Sequence, residues 1–144
     1  GGHCISVDPW FIVDSANGKA KMIEQARRTN DHKADWVVER VKEQVVKFEK
    51  EKGRTPTIAC MGLAFKPDID DLRESPALYI ATELNKTLNI VSVEPNIKKH
   101  DTLKLVKINE AIESDIVVFL VDHKGFSDLR VKNYLDFCGV KNIC

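Results

Sequence analysis

Short apolar segments alternate with amphipathic segments over residues 57–137, and this alternation constrains the fold more than any other feature. Ser75-Pro76 marks the start of one helix between these segments, with serine as the cap and proline in the first turn. Strands that alternate with helices form parallel sheets with right-handed crossovers. The sequence therefore predicts an α/β fold with a Rossmann-like parallel sheet and flanking helices. The predicted strands are 57–61, 89–93, 116–121 and, more weakly, 133–137.

The part before residue 54 has a helical pattern instead. Asp14-Ser15 predicts an N-cap for a helix that begins near Ala16, and a second, long helix is expected from about residue 31 to residue 52. Too few residues precede the long helix to cover it, so we expect it to pack on another domain or on a second copy. We therefore predict a central helical region at 1–53 and a sheet domain at 54–144.

The charge balance and the hydropathy exclude two classes of partner. The 22 Lys and Arg residues equal the 22 Asp and Glu residues, whereas a polyanion-binding protein normally carries a basic excess. No apolar run approaches the roughly 20 residues that span a bilayer. We expect no nucleic-acid partner, no membrane partner and a cytoplasmic location.

The 4 cysteines lack zinc-like spacing and are expected to be free thiols.

The loop GLAFKPDIDDLRES, residues 62–75, is the most informative loop in the chain. It runs from the carboxyl end of a strand to a helix N-terminus, the edge at which open α/β sheets bind ligands and at which amides attract anions. Lys66 and Arg73 add positive charge, which favours a phosphate-bearing ligand. Alternatively, the loop's aspartates only pair with these cations. A divalent metal is disfavoured because the two cations compete, so no metal ligands are predicted.

The segment GGHCISVDPWF, residues 1–11, carries a candidate nucleophile. Glycines let a ligand approach the backbone closely, and a thiol becomes a useful nucleophile when its thiolate is stabilised. Asp8 is close enough along the chain to share a pocket with Cys4 and to position water or relay a proton. The alternative is a buried structural cysteine beside an ordinary turn aspartate.

Together, these two segments resemble the UDP-glucose/GDP-mannose dehydrogenase family, and the GGHC…VDPW form is most similar to its UDP-N-acetyl-D-mannosamine dehydrogenase branch. The resemblance covers nearly the whole chain. It implies NAD as the cofactor, used twice, and oxidation of UDP-N-acetyl-D-mannosamine to UDP-N-acetyl-D-mannosaminuronate. It also implies a homodimer formed through the long helix.

The resemblance implies roles for six positions. Cys4 would be the nucleophile that forms a thiohemiacetal and then a thioester, and Asp8 would assist proton movement or orient the hydrolytic water. The other four positions would contact ligands: Gly1, Phe65 and Lys66 the UDP-sugar, and Arg73 the NAD.

Family members also have an N-terminal dinucleotide-binding domain and a catalytic lysine upstream of the cysteine, and this sequence shows neither. We therefore expect a C-terminal piece that is inactive alone. One alternative is a non-catalytic UDP-binding and dimerisation module, and another is a UDP-glucose or GDP-mannose dehydrogenase of the same family. Many relatives use a basic residue in a D-x-[KR]-G pattern to bind substrate. Here that pattern reads Asp136-Phe137-Cys138-Gly139, so the contact is open.

Overall fold

The computed structural model describes residues 3–141, in which two helices precede a part where strands and helices alternate. The helices are α1 (His3–Ser15), α2 (Lys21–Lys52), α3 (Pro76–Asn85) and α4 (Ile108–Ala111). The strands are β1 (Ile58–Met61), β2 (Ile90–Val93), β3 (Ile116–Phe119) and β4 (Tyr134–Asp136), and a short 3-10 helix covers Lys124–Phe126.

The four strands form one parallel sheet in the order β2-β1-β3-β4. Ile58 of β1 is level with Ile90 of β2 and with Ile116 of β3, so these three strands start at the same height. Every residue of β1 and β3 is buried, because both are central strands and both faces of the sheet are covered by hydrophobic clusters. The predicted α/β fold with a parallel sheet is confirmed, and all four strands end at the same edge.

The hydrophobic core lies on both faces of this sheet, because successive side chains of a strand point to opposite faces. Ile58 and Cys60 of β1 belong to the cluster that includes α2 and α3, and Ala59 and Met61 belong to the cluster on the α4 side. The middle of α2 therefore shares a core with the sheet, while the division into 1–53 and 54–144 stays a prediction. Four buried valines of α2 contribute: Val37, Val38, Val41 and Val45.

The prediction of a helix that begins near Ala16 is wrong, because Ser15 ends a helix instead of capping one. The Ser15 hydroxyl donates to the carbonyl of Ile12, and Asn17 and Gly18 then adopt positive φ angles of 47° and 79° that stop α1. Pro9 inside α1 concealed the helix in the sequence, since an interior proline normally breaks a helix.

The predicted start of the long helix near residue 31 is also wrong, since α2 is one helix of 32 residues, about 48 Å long. Asp31 accepts a hydrogen bond from Arg27, four residues earlier, so its carboxylate supports the helix interior and does not cap a new helix. Gly53, at a φ of 68°, ends α2 and donates to the carbonyl of Glu49 at 2.8 Å. Within residues 3–141, no helix has both the length and the apolar character needed to cross a bilayer.

Candidate functional site

The carboxyl edge of the sheet brings together the loops that follow β1, β2 and β3. Gly62 begins the first of these loops at a φ of 91°, and its amide donates to the carbonyl of Val93 at 2.8 Å. Leu120 and Val121 donate to the carbonyl of Met61 at 2.9 and 3.3 Å, so the loops after β1 and β3 are tied together where they leave the sheet. The loop at 62–75 therefore starts from a fixed point.

Glu94, directly after β2, places a carboxylate with a fully buried side chain at this edge. One oxygen, Oε2, accepts from the amides of Leu63 and Ala64 at 2.8 and 2.9 Å, and lies 3.0 Å from Nε2 of His123. The other oxygen, Oε1, accepts from the amide and side chain of Asn96. Burial opposes ionisation of Glu94, but the hydrogen bonds from His123 and the backbone amides outweigh it and hold its pKa lowered to about 2. The first amides of the loop, those of Leu63 and Ala64, therefore already bind an anion, and that anion is the protein's own Glu94 carboxylate.

His123, after β3, connects Glu94 to the far side of the same loop. The backbone amide of Asp68 donates to Nδ1 of His123 at 2.9 Å, so Nδ1 has no proton of its own. The proton of the neutral ring is then on Nε2, which donates to Glu94. Only 1% of the His123 side chain is exposed. One imidazole therefore contacts two loops by two hydrogen bonds of fixed direction.

Ser75 closes the loop at its far end. Its hydroxyl donates to the carbonyl of Leu63 at 2.7 Å and accepts from the amide of Leu78 at 3.2 Å. The predicted cap of α3 is therefore present, and the same oxygen joins the end of the loop to its beginning. A second link runs from the amide of Phe65 to the carbonyl of Asp71 at 2.8 Å.

The predicted ligand contacts of this loop lie at its surface. Phe65 is half-buried and Lys66 is exposed. Arg73 is exposed too, and its Nε and Nη2 donate to Asp71 at 3.0 and 2.8 Å, which raises the pKa of Arg73. Asp68 contacts Lys124, its Oδ1 accepting from the backbone amide of Lys124 at 3.2 Å. The alternative that the loop's aspartates pair with its cations therefore holds for Arg73, which pairs with Asp71. Lys66, in contrast, makes no ion pair within residues 3–141.

The N-terminal candidates lie on α1, and the predicted cysteine loop is in fact the first turn of that helix. Cys4 and Asp8 are both exposed and one turn apart, so they share a face of α1. Cys60 is buried and Cys138 half-buried, and burial raises the pKa of each thiol to about 12. Of the three cysteines in the described part of the chain, Cys4 alone is exposed. Gly1 lies outside the described residues.

Two adjoining cavities lie between α1, α2 and the end of the loop at 62–75. Their volumes are about 580 and 560 Å³, and both are lined by Ser6, Arg27, Asp31 and Glu74. Ser6 lies two residues after Cys4, and Glu74 directly follows Arg73. The fold thus brings the two sequence segments to shared cavities, although none of the five predicted site residues that the structure describes is among the residues that line them.

Comparison with known proteins identifies the family. The profile of the UDP-glucose/GDP-mannose dehydrogenase family, UDP binding domain, matches residues 59–143. The chain belongs to this dehydrogenase family. A UDP-N-acetyl-D-mannosamine dehydrogenase of Campylobacter jejuni is 45% identical over 148 residues, which cover 96% of this chain and 35% of that protein. An NDP-N-acetyl-D-galactosaminuronic acid dehydrogenase of Ralstonia solanacearum is 46% identical over 136 residues, covering 90% of this chain and 31% of that protein.

A solved structure supports the same conclusion. The UDP-D-ManNAc dehydrogenase of Pyrococcus horikoshii aligns with a TM-score of 0.80 at 25% identity, over 97% of this chain and 35% of that one. The chain therefore spans about a third of the length of the dehydrogenases that it matches.

The C-terminal segment differs from the D-x-[KR]-G pattern of the dehydrogenase family. Asp136 accepts from the amides of Cys138, Gly139 and Lys141 at 2.8 to 3.0 Å, and although burial opposes its ionisation, these bonds lower the pKa of the carboxyl. Lys141 is the basic residue nearest to the pattern. Its Nζ donates to the carbonyls of three residues of the chain itself, so Lys141 is not free to take the role of the pattern's basic residue: Phe126, Ser127 and Leu129.

Sequence reasoning missed Glu94 and His123, two buried polar residues at the carboxyl edge of the sheet. Glu94 directly follows β2, and His123 comes a few residues after β3. A charged residue that stands next to an apolar strand, as in VSVEP at 91–95, was the available signal. Apart from Asn96, their hydrogen-bond partners are 29 to 55 positions away in the chain, so the sequence offered no pattern that joined them.

Proposed function

We propose that the full-length protein containing this chain is an NAD-dependent nucleotide-sugar 6-dehydrogenase that oxidises UDP-N-acetyl-D-mannosamine to UDP-N-acetyl-D-mannosaminuronate. One observation carries the proposal. Ser6, beside the candidate nucleophile, and Glu74, beside the candidate cofactor contact, line the same two cavities, so the two motifs face common space. The names of the relatives support the choice of substrate.

Cys4 is the proposed nucleophile of the second oxidation. Its thiolate adds to the aldehyde carbon of the half-oxidised sugar, and the carbonyl oxygen takes up a proton to give a thiohemiacetal. Loss of a hydride and a proton converts this adduct into a thioester. Water then attacks the thioester, which releases the carboxylate and returns the thiol. The covalent bond retains the intermediate between the two oxidations.

Asp8 is the proposed base that orients or deprotonates this water. Both side chains are exposed on one face of α1, one turn apart, so a water molecule held by the carboxylate lies near the thioester carbon. Exposure also makes Cys4 accessible to a substrate, in contrast to the buried Cys60.

The residues of the 62–75 loop are proposed to bind the two ligands. Lys66 offers an exposed ammonium to the diphosphate of the UDP-sugar, and Phe65 offers a half-buried ring beside it. Gly1 is proposed as a backbone contact to the same ligand. NAD, when bound, accepts one hydride in each oxidation. Arg73 fits an anionic cofactor group because its exposed guanidinium uses only some of its five N–H donors on Asp71.

Formation of NADH from UDP-N-acetyl-D-mannosamine by the full-length protein tests this function. We expect Cys4→Ala to lower kcat by about a thousandfold or more, because no other exposed thiol is available in the described part of the chain. Ser15→Ala, at the other end of α1, is the control and retains the activity of the unaltered protein. If Cys4→Ala turned over at the normal rate, the covalent mechanism would be wrong.

A UDP-binding and dimerisation module without catalysis of its own is the second candidate for the 144 residues considered alone. The match of residues 59–143 to a UDP binding domain favours it. On this view the chain supplies the nucleotide site, and the oxidation requires parts that lie elsewhere in the protein. The exposed side chains of Met22 and Val46 on α2 support the proposed homodimer through this helix.

UDP binding tests the nucleotide site independently of turnover. We expect Lys66→Ala to weaken UDP binding at least about tenfold, because an ammonium–phosphate contact is lost. Lys132→Ala is the matched control, since Lys132 is also exposed but precedes β4 and so lies at the opposite edge of the sheet. Titration calorimetry measures both. Equal affinities for the two variants would remove Lys66 from the site.

A further inference from the structure

The segment that carries Lys66 is held at both ends by one buried pair of side chains. Its start is fixed at Leu63 and Ala64, whose amides donate to Glu94. Its end is fixed at Asp68, whose amide donates to His123. Because His123 and Glu94 bond to each other at 3.0 Å, the two ends are joined through a single unit.

Lys66 lies midway between these fixed points, two residues from each. Pro67 restricts the backbone directly after it, and Asp68 has a φ of 59°, a conformation that non-glycine residues adopt only when their surroundings impose it. The hydrogen bond from Asp68 to His123 is one such constraint. The Asp68 side chain is a second link to the loop after β3, since its Oδ1 accepts from the amide of Lys124 at 3.2 Å.

A role in packing alone does not require these residue types. An apolar side chain at position 123 would fill the same volume against Phe126, whose ring centroid is 5.2 Å from that of His123. A buried carboxylate and a buried imidazole instead carry a desolvation cost, which five N–H donors offset at Glu94. Unlike an apolar pair, the polar pair makes directional hydrogen bonds, and each of these holds a specific backbone amide of the loop in place.

We propose that His123 and Glu94 are positioning residues for nucleotide binding, which hold the segment at 65–68 so that Lys66 points its ammonium to the diphosphate. This inference rests on the proposed UDP-binding function. His123 does not touch the ligand in this scheme. It acts through Asp68 and the backbone on Lys66, and Glu94 fixes both the ring and the start of the segment.

A double-mutant cycle in the full-length protein tests this coupling. We expect His123→Ala to weaken UDP binding about tenfold when Lys66 is present and by less than about twofold when Lys66 is already alanine, because coupled residues are not additive. The free energy of unfolding, measured in parallel, should fall by the same amount in both backgrounds. An equal loss of UDP affinity in both backgrounds would overturn the inference.

Two conservative variants separate the two hydrogen bonds of His123. The Oδ1 atom of asparagine is as many bonds from the backbone as Nδ1 of histidine. His123→Asn therefore keeps an acceptor for the Asp68 amide and loses the donor to Glu94. The side-chain amide of glutamine is at the level of Nε2, so His123→Gln keeps the donor and loses the acceptor. Each removes one buried hydrogen bond, so both should lower the midpoint of urea unfolding by a similar amount.

The two variants should nevertheless differ in UDP affinity. We expect His123→Asn to bind UDP within about threefold of the unaltered protein and His123→Gln to lose about tenfold. The reverse order, or equal affinities, would overturn the assignment of Asp68 as the anchor. If Lys66→Ala weakened binding and no His123 variant did, this inference would fail alone. If the unaltered protein did not bind UDP, the proposed function would fail with it.

Discussion

Gly62→Ala is expected to lower the free energy of unfolding by about 2 to 5 kcal/mol, the sum of a conformational cost and a steric one. The φ of Gly62 is 91°, a conformation in which a Cβ atom is strained. A Cβ at this position would also lie 2.5 Å from Cβ of Val121 and 3.0 Å from its backbone nitrogen. Relief of this contact requires the loops after β1 and β3 to separate, because Val121 is held by its own backbone hydrogen bond to Met61.

Gly18→Ala is the matched control for this prediction. Gly18 has a similar φ of 79°, but an added Cβ would have no neighbour within 4 Å. Only the conformational cost of about 1 to 2 kcal/mol is then expected. Urea unfolding of both variants isolates the steric part. If Gly62→Ala proved no less stable than Gly18→Ala, the close approach of the two loops would be refuted. UDP affinity should fall as well for Gly62→Ala, since the loop with Lys66 begins at this residue.

Glu94→Gln is expected to lower the free energy of unfolding by about 3 kcal/mol at neutral pH. Both oxygens of Glu94 accept hydrogen bonds, and the amide group of glutamine would face donors on one side, either Asn96 or the loop amides. At least one buried donor then loses its acceptor. Glu113→Gln, on an exposed residue after α4, is the control and should change stability by less than about 0.5 kcal/mol.

The effect of Glu94→Gln should depend on pH in a defined direction. The pKa of Glu94 is lowered in the fold, from 4.5 to about 2, so its ionised form is stabilised by folding. That contribution is complete above the pKa of the unfolded chain and is lost as the pH falls toward 2. The stability difference between the unaltered protein and the variant should therefore narrow between about pH 5 and pH 2. A constant difference over this range would contradict the buried anion.

The variant comparison also separates Glu94 from the other carboxyl groups that titrate in acid. Asp115 has its pKa lowered by hydrogen bonds from Arg54 and Thr57, and Asp136 has its pKa lowered by backbone amides despite its burial. Both lose stabilising interactions in acid, but they do so equally in the two proteins. The difference curve therefore reports Glu94 alone.

The strands and the sheet could be predicted from the sequence because their signals are local. A continuous apolar run such as IVVF at 116–119 predicts by itself a strand that is buried on both faces, and Ser75-Pro76 caps its helix with atoms three residues apart. The two N-terminal helices were predicted at the wrong boundaries for the opposite reason. Pro9 and Asp31 carry local signals against a helix interior, and contacts with α2 and with Arg27 outweigh them.

The candidate site likewise has a part that the sequence could predict and a part that it could not. The sequence by itself determined the parallel sheet, the loop that carries Phe65, Lys66 and Arg73, and the family, because these depend on residues that are close together in the chain. Only the tertiary structure decided that Glu94 and His123 form a buried pair beneath that loop and that Ser6 and Glu74 line common cavities. Hydrogen bonds between side chains tens of residues apart have no periodicity in sequence. They arise when parallel strands bring their carboxyl ends to one edge of the sheet.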